Sequence, residues 1–239
     1  MSPPAARELG HYTPDELRAS GVSGIGFLQP LFARPVGAGG DGGEKEAAEG
    51  LVRRGLLAGP GPSGQALGDL AATLEAIAAA WTFAGCVTGP GSASQERLLF
   101  GRLGDTDMIL DLLPEDAGYR ARLLSISEAT EEVAVSLDLG DRDGDATAAT
   151  AEGTPEWAQI EAQVDGVPVE QRIEAASIDS PEGPLFQQRL QMVSTQGTRW
   201  LVRGARRGPE VSWRSAAPAG PRRVRSAIRA ILAGDPVRL

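Results

Sequence analysis

Twice in this chain, three short apolar segments separated by turn residues run into a segment with helical periodicity, and an acidic, small-residue stretch lies between the two runs. In the first run, Glu96–Gly104, Asp107–Pro114 and Tyr119–Ser127 have the length and punctuation of successive antiparallel strands. Ser127–Leu139 follows. Ser127 in a capping position and Glu128, Glu131 and Glu132 in a first turn favour a helix, whereas the alternation Val133, Val135, Leu137, Leu139 favours a strand; the helix is preferred. In the second run, Leu185–Thr195, Thr198–Ala205 and Glu210–Ser215 read as strands. Pro221–Ala233 closes it as a helix, with Val224, Ile228, Ile231 and Leu232 on one face and Gly234 and Pro236 at its end. The expected class is therefore α+β: two antiparallel-sheet-plus-helix halves, related by a pseudo-two-fold axis. The repetition is one of pattern, not of residues.

The N-terminal part adds helices. Thr13-Pro14-Asp15-Glu16 has a capping residue, a proline suited to the first helical position and a glutamate that closes a capping box. Residues 21–43 are rich in Gly and Pro and read as a loop; Gly21, Gly24 and Gly26 neither follow a strand nor open a helix, so they are not read as a nucleotide loop. Glu44–Leu57 and a segment capped by Ser63 and carrying Leu67, Leu70, Leu74, Ile77 and Trp81 read as an N-terminal helical pair around Gly59-Pro60-Gly61-Pro62. Trp157–Val164 and Val167–Ala175 read as a hairpin about Asp165-Gly166. The expected organisation is 1–43 as a flexible N-terminal segment, 44–139 as the first α+β half, 140–156 as an acidic linker and 157–239 as the second half.

Composition removes several chemistries. A single cysteine, Cys86, cannot form a disulfide within the chain, which fits a cytoplasmic protein. The one histidine, His11, is expected outside the folded core, so a Cys–His dyad is not expected. Two such ligands in all do not make a zinc site, and no metal site, cofactor or catalytic residue is assigned. No run of about 18 apolar residues is present to span a membrane, and Met1–Gly10 lacks the apolar core of a secretory signal. Asp141, Asp143, Asp145 and Glu152 match four positions of a calcium loop, but Ala146 stands where the turn glycine belongs, and the string is read as solvated linker. Asp105, Asp107, Asp111, Glu115 and Asp116 alternate with Met108, Ile109, Leu110 and Leu112 and are read as the wet face of a half-exposed strand.

Charge is unevenly distributed. From Arg199 onward, ten arginines face Glu210 and Asp235, a local balance of +8 in a chain of net charge −9. These arginines surround Trp200 and Trp213, a combination that can hold single-stranded nucleic acid. The acidic remainder argues against a polyanion, and the preferred reading sets the basic end against the acidic body of the same protein.

The order of features is similar to the EspG-like secretion-associated chaperones of type VII (ESX) systems. The residues that carry the resemblance are Leu-Val-Arg-Arg-Gly-Leu-Leu at 51–57, the Ala/Leu helix at 67–81 and Leu-Leu-Phe-Gly-Arg-Leu-Gly at 98–104. Trp200–Gly204, Val-Ser-Trp at 211–213 and the closing helix follow. The likeness spans about 45–233. It implies a non-enzymatic cytoplasmic protein of two quasi-symmetric α+β halves that holds the apolar helical tip of a PPE-type partner before secretion. On this reading the partner-binding residues are Leu185, Phe186, Met192, Trp200 and Trp213, in the second half.

Overall fold

The structure is a computed structural model and describes residues 6–21, 41–59, 64–88, 96–104, 106–116, 118–136, 150–151, 157–158, 160, 171–178, 185–195, 198–207 and 210–239. One sheet organises it. The first half contributes β1 (Arg7–Tyr12), β4 (Ala80–Thr88), β5 (Glu96–Leu103), β6 (Met108–Glu115) and β7 (Gly118–Ser125); the second contributes β8 (Thr150–Ala151), β9 (Gln171–Ile178), β10 (Leu185–Thr195), β11 (Thr198–Arg207) and β12 (Glu210–Pro218). The spatial order β1-β7-β6-β5-β4-β9-β10-β11-β12-β8 is a palindrome of roles: each half is a four-stranded meander whose last strand also pairs with an earlier short strand. The meanders meet at β4 and β9, which pair antiparallel from Thr82 opposite Ser177 to Thr88 opposite Gln171. The α+β class and the antiparallel sheets are as expected, and the order is that of a pseudo-two-fold arrangement.

Helices cover both faces. On one lie α4 (Ile126–Ser136) and α5 (Pro221–Ala233), packed on each other. Their buried positions have identical spacing: Ile126, Ala129, Thr130, Val133 and Ala134 in α4, and Val224, Ala227, Ile228, Ile231 and Leu232 in α5. That is one apolar stripe at i, i+3, i+4, i+7 and i+8, used twice. These stripes share a core with Ala84, Cys86, Leu99, Ile109 and Leu124 of the first half and Leu190, Met192 and Leu201 of the second. On the other face, α1 (Pro14–Ala19), α2 (Asp41–Arg53) and α3 (Gly68–Ala79) enclose Phe83, Leu98, Phe100, Leu110, Leu112 and Ala121. Period-two alternation thus sends neighbours such as Phe83 and Ala84 into different cores. Phe83 and Phe100 are registered opposite each other with ring centroids 4.8 Å apart at 68°, an edge-to-face pair.

The N-terminal part departs from expectation in instructive ways. The capping box at Thr13 and Glu16 forms as read. His11 is exposed outside the core, as expected, but it lies in a strand rather than a flexible segment: β1 places it opposite Arg120 of β7, because Leu9 and Tyr12 bury on the sheet and carry the strand with them. The helix expected from Ser63 starts later, at Gly68 with Leu67 as cap; a small hairpin, β2 (Leu57–Ala58) with β3 (Gln65–Ala66), precedes it. Nor do α2 and α3 form the expected pair: α2 packs mainly along α1, and α3 lies on β1, β5 and β6. Arg54 clamps that corner, 3.3 Å from Glu16 and over the Tyr12 ring. Trp81 belongs to β4, not to the helix. The chain turns extended at Ala80 (ψ 131°), where the β-prone run Trp81-Thr82-Phe83 begins. For α4 the helix reading holds, but its cap is Ser125, not Ser127: Ser125 donates through N–H and Oγ–H to Glu128, and the Glu128 N–H returns to Ser125 Oγ. Trp157 and Ile160 are helical rather than extended, and the Asp165-Gly166 turn lies outside the described residues.

The end of α5 belongs to the other half's strands. Helix α5 lies against β4 and β5, and the Thr82 hydroxyl donates to the Leu232 carbonyl at 3.1 Å, satisfying one of the acceptors a helix end leaves open. Gly234 then ends the helix in the left-handed region at φ 79°. Gly101 makes this approach possible: a Cβ there would lie 2.5 Å from both the Leu232 carbonyl oxygen and Thr82 Oγ1. Gly101→Ala is therefore expected to cost about 1–3 kcal/mol, an overpacking penalty against backbone. Urea denaturation checks this, and the wild type is expected to unfold in a single transition because both halves share one core.

Candidate functional site

The one deeply buried charged constellation among the described residues lies between the first meander and α4. Arg97 on β5, Asp111 on β6 and Arg122 on β7 point to the α4 face, and Glu132 reaches down from α4 to meet them. Strand register creates the cluster: Asp111 is directly opposite Arg122, and Arg97 lies one strand over and two residues along from Asp111's other partner, Leu99. Asp111 is fully buried. Its Oδ1 accepts from Arg97 Nε at 2.8 Å; its Oδ2 accepts from Arg97 Nη2 at 2.9 Å and Arg122 Nε at 3.1 Å, and also from Arg122 Nη2. Glu132 Oε2 accepts from Arg97 Nη2 at 2.9 Å and Arg122 Nη2 at 2.7 Å. Two guanidinium groups and two carboxylates thus close a neutral, hydrogen-bonded ring that ties three strands to a helix.

This corrects the reading of the carboxylate-rich hairpin. Asp107 and Asp116 are exposed, as a wet strand edge requires, and Asp105 lies outside the described residues. Asp111, however, is in the core, because β6 is covered on both faces and Ile109 through Leu112 are all buried. The signal in the sequence was the pair Arg97 and Arg122 at apolar-patterned strand positions, which a buried counter-ion explains.

Chemically the ring is a clasp. Asp111 is enclosed by guanidinium hydrogen bonds and shut off from solvent, and Glu132 is tied to the same two arginines, so both are poorly placed for acid–base work. Burial of Glu132 would raise its pKa, but hydrogen bonds and proximity to Arg122, then Arg97, outweigh that and hold it below the ordinary carboxylate range. Among the described residues no group of His, Cys, Asp and Glu is placed to hold a metal ion, and the Asp141–Glu152 string lies almost wholly outside them. Cys86 is buried in the middle of β4, registered between Arg97 and Ile173, and far along the sheet from His11 on β1.

The residues expected to bind a partner do not all converge. Met192 is buried in the core that also holds the α4 and α5 stripes, so its thioether is engaged in packing and is not available at a surface. Trp200 is half-buried on the opposite face, since Met192 is registered with Leu201 and its neighbour Val193 with Trp200. There it packs on Trp157, Ile160, Val202 and Ala216. The backbone places Leu185 and Phe186 in β10 opposite Ile178 and Ser177, and Trp213 in β12 opposite Gly204; their side chains lie outside the described residues. The basic C-terminal segment divides as well. Arg225 pairs with Glu131 of α4 at 2.8 Å, acid against base within one protein, while Arg222 and Arg229 are exposed on α5. No described helix is long and apolar enough to cross a membrane.

Asp111→Asn is expected to destabilise by about 3–5 kcal/mol, because it leaves two buried guanidinium groups facing one carboxylate. Replacing Arg97, Asp111 and Arg122 together with Met, Leu and Met is expected to recover most of that loss, as measured by urea midpoints. The pH dependence has a definite sign. Glu132 has a depressed pKa in the folded state, so its contribution is complete above its unfolded value of about 4.3 and is lost as pH falls through the lower folded value. The stability gap between wild type and Glu132→Gln is therefore expected to be full at neutral pH and to close below about pH 4.

No family model matches the sequence, and no curated protein does. Among solved structures, the fold is similar to EspG5, a Mycobacterium tuberculosis type VII secretion system chaperone solved in complex with a PE25–PPE41 dimer. The identity is 12%, the match covers 90% of this chain and 95% of that one, and the TM-score is 0.48.

Proposed function

We propose that this protein is a non-enzymatic protein-binding protein of the cytoplasm, a chaperone or adaptor like the EspG-like proteins its sequence order resembles. Its partner is a helical protein with an apolar tip, of the PPE type, held before secretion. The observation that carries the reading is Trp200: a half-buried indole on the sheet face away from α4 and α5, at the margin of an apolar cluster with Trp157, Ile160, Val202 and Ala216. An aromatic anchor beside apolar strand residues is what an amphipathic helix docks on. The partner surface proposed is therefore the Trp200 face of β10–β12, with Leu185, Phe186 and Trp213 carried by the same strands and Met192 supporting it from the core. The clasp of Asp111 and Glu132 supports the same reading, because it commits these carboxylates to holding the fold together.

The test is affinity purification from the native host, followed by titration calorimetry with the purified partner. Trp200→Ala is expected to weaken binding by about tenfold or more while the protein stays folded by circular dichroism. Unchanged affinity of the folded variant, or no helical partner at all, sinks the proposal. The alternative, anion or nucleic-acid binding through the exposed Arg222 and Arg229, is the conclusion if single-stranded oligonucleotides bind instead, with an affinity that falls steeply with salt.

A further inference from the structure

We propose that the helical residues Trp157 and Ile160 are an internal occupant of the Trp200 surface, seated there in the free protein and displaced when a partner helix docks. This rests on the reading of that surface as the partner site, and adds its regulation. Trp157, Ala158 and Ile160 are helical, and Trp157 and Ile160 are three positions apart, so they lie on one helix face. Both are 2% exposed, and the floor they rest on, Val202 of β11 and Ala216 of β12, is fully buried. Val202 and Ala216 are registered directly opposite each other, and Trp200 lies two residues along β11 on the same side of the sheet. An apolar helix face laid on apolar strands is the geometry proposed for the partner. The chain already fills that place with residues of its own.

The three apolar clusters differ in how much holds them. On the first half, α1, α2 and α3 enclose the sheet over a cluster that runs from Leu9 to Ala121. The core under α4 and α5 draws on both halves and on both helices. Around Trp157, the buried members among the described residues are only Trp157, Ile160, Val202 and Ala216, with Trp200 half-buried at the margin. The described element that precedes Trp157 in the chain, β8, is two residues long and pairs with β12 only at Ser215 and Ala216. A contact with so few apolar partners belongs to the low end of the local stabilities within a protein. Trp200 gives an incoming helix a first foothold beside it. An internal occupant also sets a threshold: a segment is held only if its apolar face outcompetes Trp157 and Ile160, so weaker apolar segments are turned away.

Thiol labelling tests this, because the native Cys86 serves as an internal clock. Cys86 is 2% exposed in β4, in the core that both halves share, so it reacts only when the whole protein unfolds. In Ile160→Cys, the introduced thiol is expected to react with a maleimide at least about a hundredfold faster than Cys86 at urea concentrations below the unfolding transition. Adding the helical protein recovered by the affinity purification described above is expected to speed that labelling further. Labelling at the rate of Cys86 overturns the proposal, because the segment is then fixed core. Labelling slowed by the partner overturns it too, because the segment is then part of a joint interface. By calorimetry, Trp157→Ala is expected to bind the same partner at least about tenfold more tightly, since the surface no longer spends its time occupied; unchanged or weaker binding by the folded variant overturns the proposal. Should Trp157→Ala not fold by circular dichroism, the labelling decides alone. Trp200→Ala separates this failure from that of the underlying reading. If it weakens binding while Trp157→Ala does not tighten it, the displacement alone is wrong; if it changes nothing, the surface is not the partner site and both readings fall.

Discussion

Seven registered residue pairs join β4 to β9, and the remaining architecture is arranged about that ladder. Without it there are two meanders, each with an exposed edge of unpaired backbone groups. With it there is one sheet of ten strands, and both helical layers acquire a continuous floor. The antiparallel sense of the seam makes the sheet order palindromic and sets α4 and α5 side by side, where matching apolar stripes fill one shared core. The seam is also where the halves lock. Small residues let backbone approach backbone: Gly101 accommodates the last turn of α5, and the Thr82 hydroxyl takes up a carbonyl that would otherwise be buried without a donor.

The charged ring of Arg97, Asp111, Arg122 and Glu132 answers a difficulty that such a fold creates. A strand covered on both faces has no wet side, so a carboxylate on it must find its partners inside the protein. Asp111 finds two arginines, and the excess positive charge is balanced by Glu132, which comes from the covering helix and remains partly in water. The arrangement fixes where α4 sits along the strands more narrowly than apolar contacts do, since hydrogen bonds have direction and apolar packing has little. It also means that the most titratable-rich place in the described structure is a fastening.

Several elements were legible because their information is local. The capping box at Thr13–Glu16, the three strands on either side of the acidic stretch, and the helix over Pro221–Ala233 with its glycine stop were all read from neighbouring residues, and all are present. Where the reading strayed, distant residues had intervened. Trp81 has the spacing of the preceding helix yet belongs to β4, because β5 and β9 are both there to pair with it. His11 looked like part of a loose terminus because its six-residue strand is stabilised by β7, more than a hundred positions away. Met192 and Trp200 looked like one patch because both are large and apolar; strand alternation puts them on opposite faces.

The class of the fold, its doubled strand-and-helix pattern and the scarcity of metal-binding and nucleophilic side chains follow from the residues alone, because periodicity and turn chemistry are set by neighbours and composition needs no fold. That the two patterns share one sheet through β4 and β9, that Asp111 is buried between two arginines, and which large apolar residues are core emerge only in the folded chain. Those outcomes depend on pairings between residues far apart in the chain, and the energy of burying a charge or closing a ladder exists only once both partners are in place.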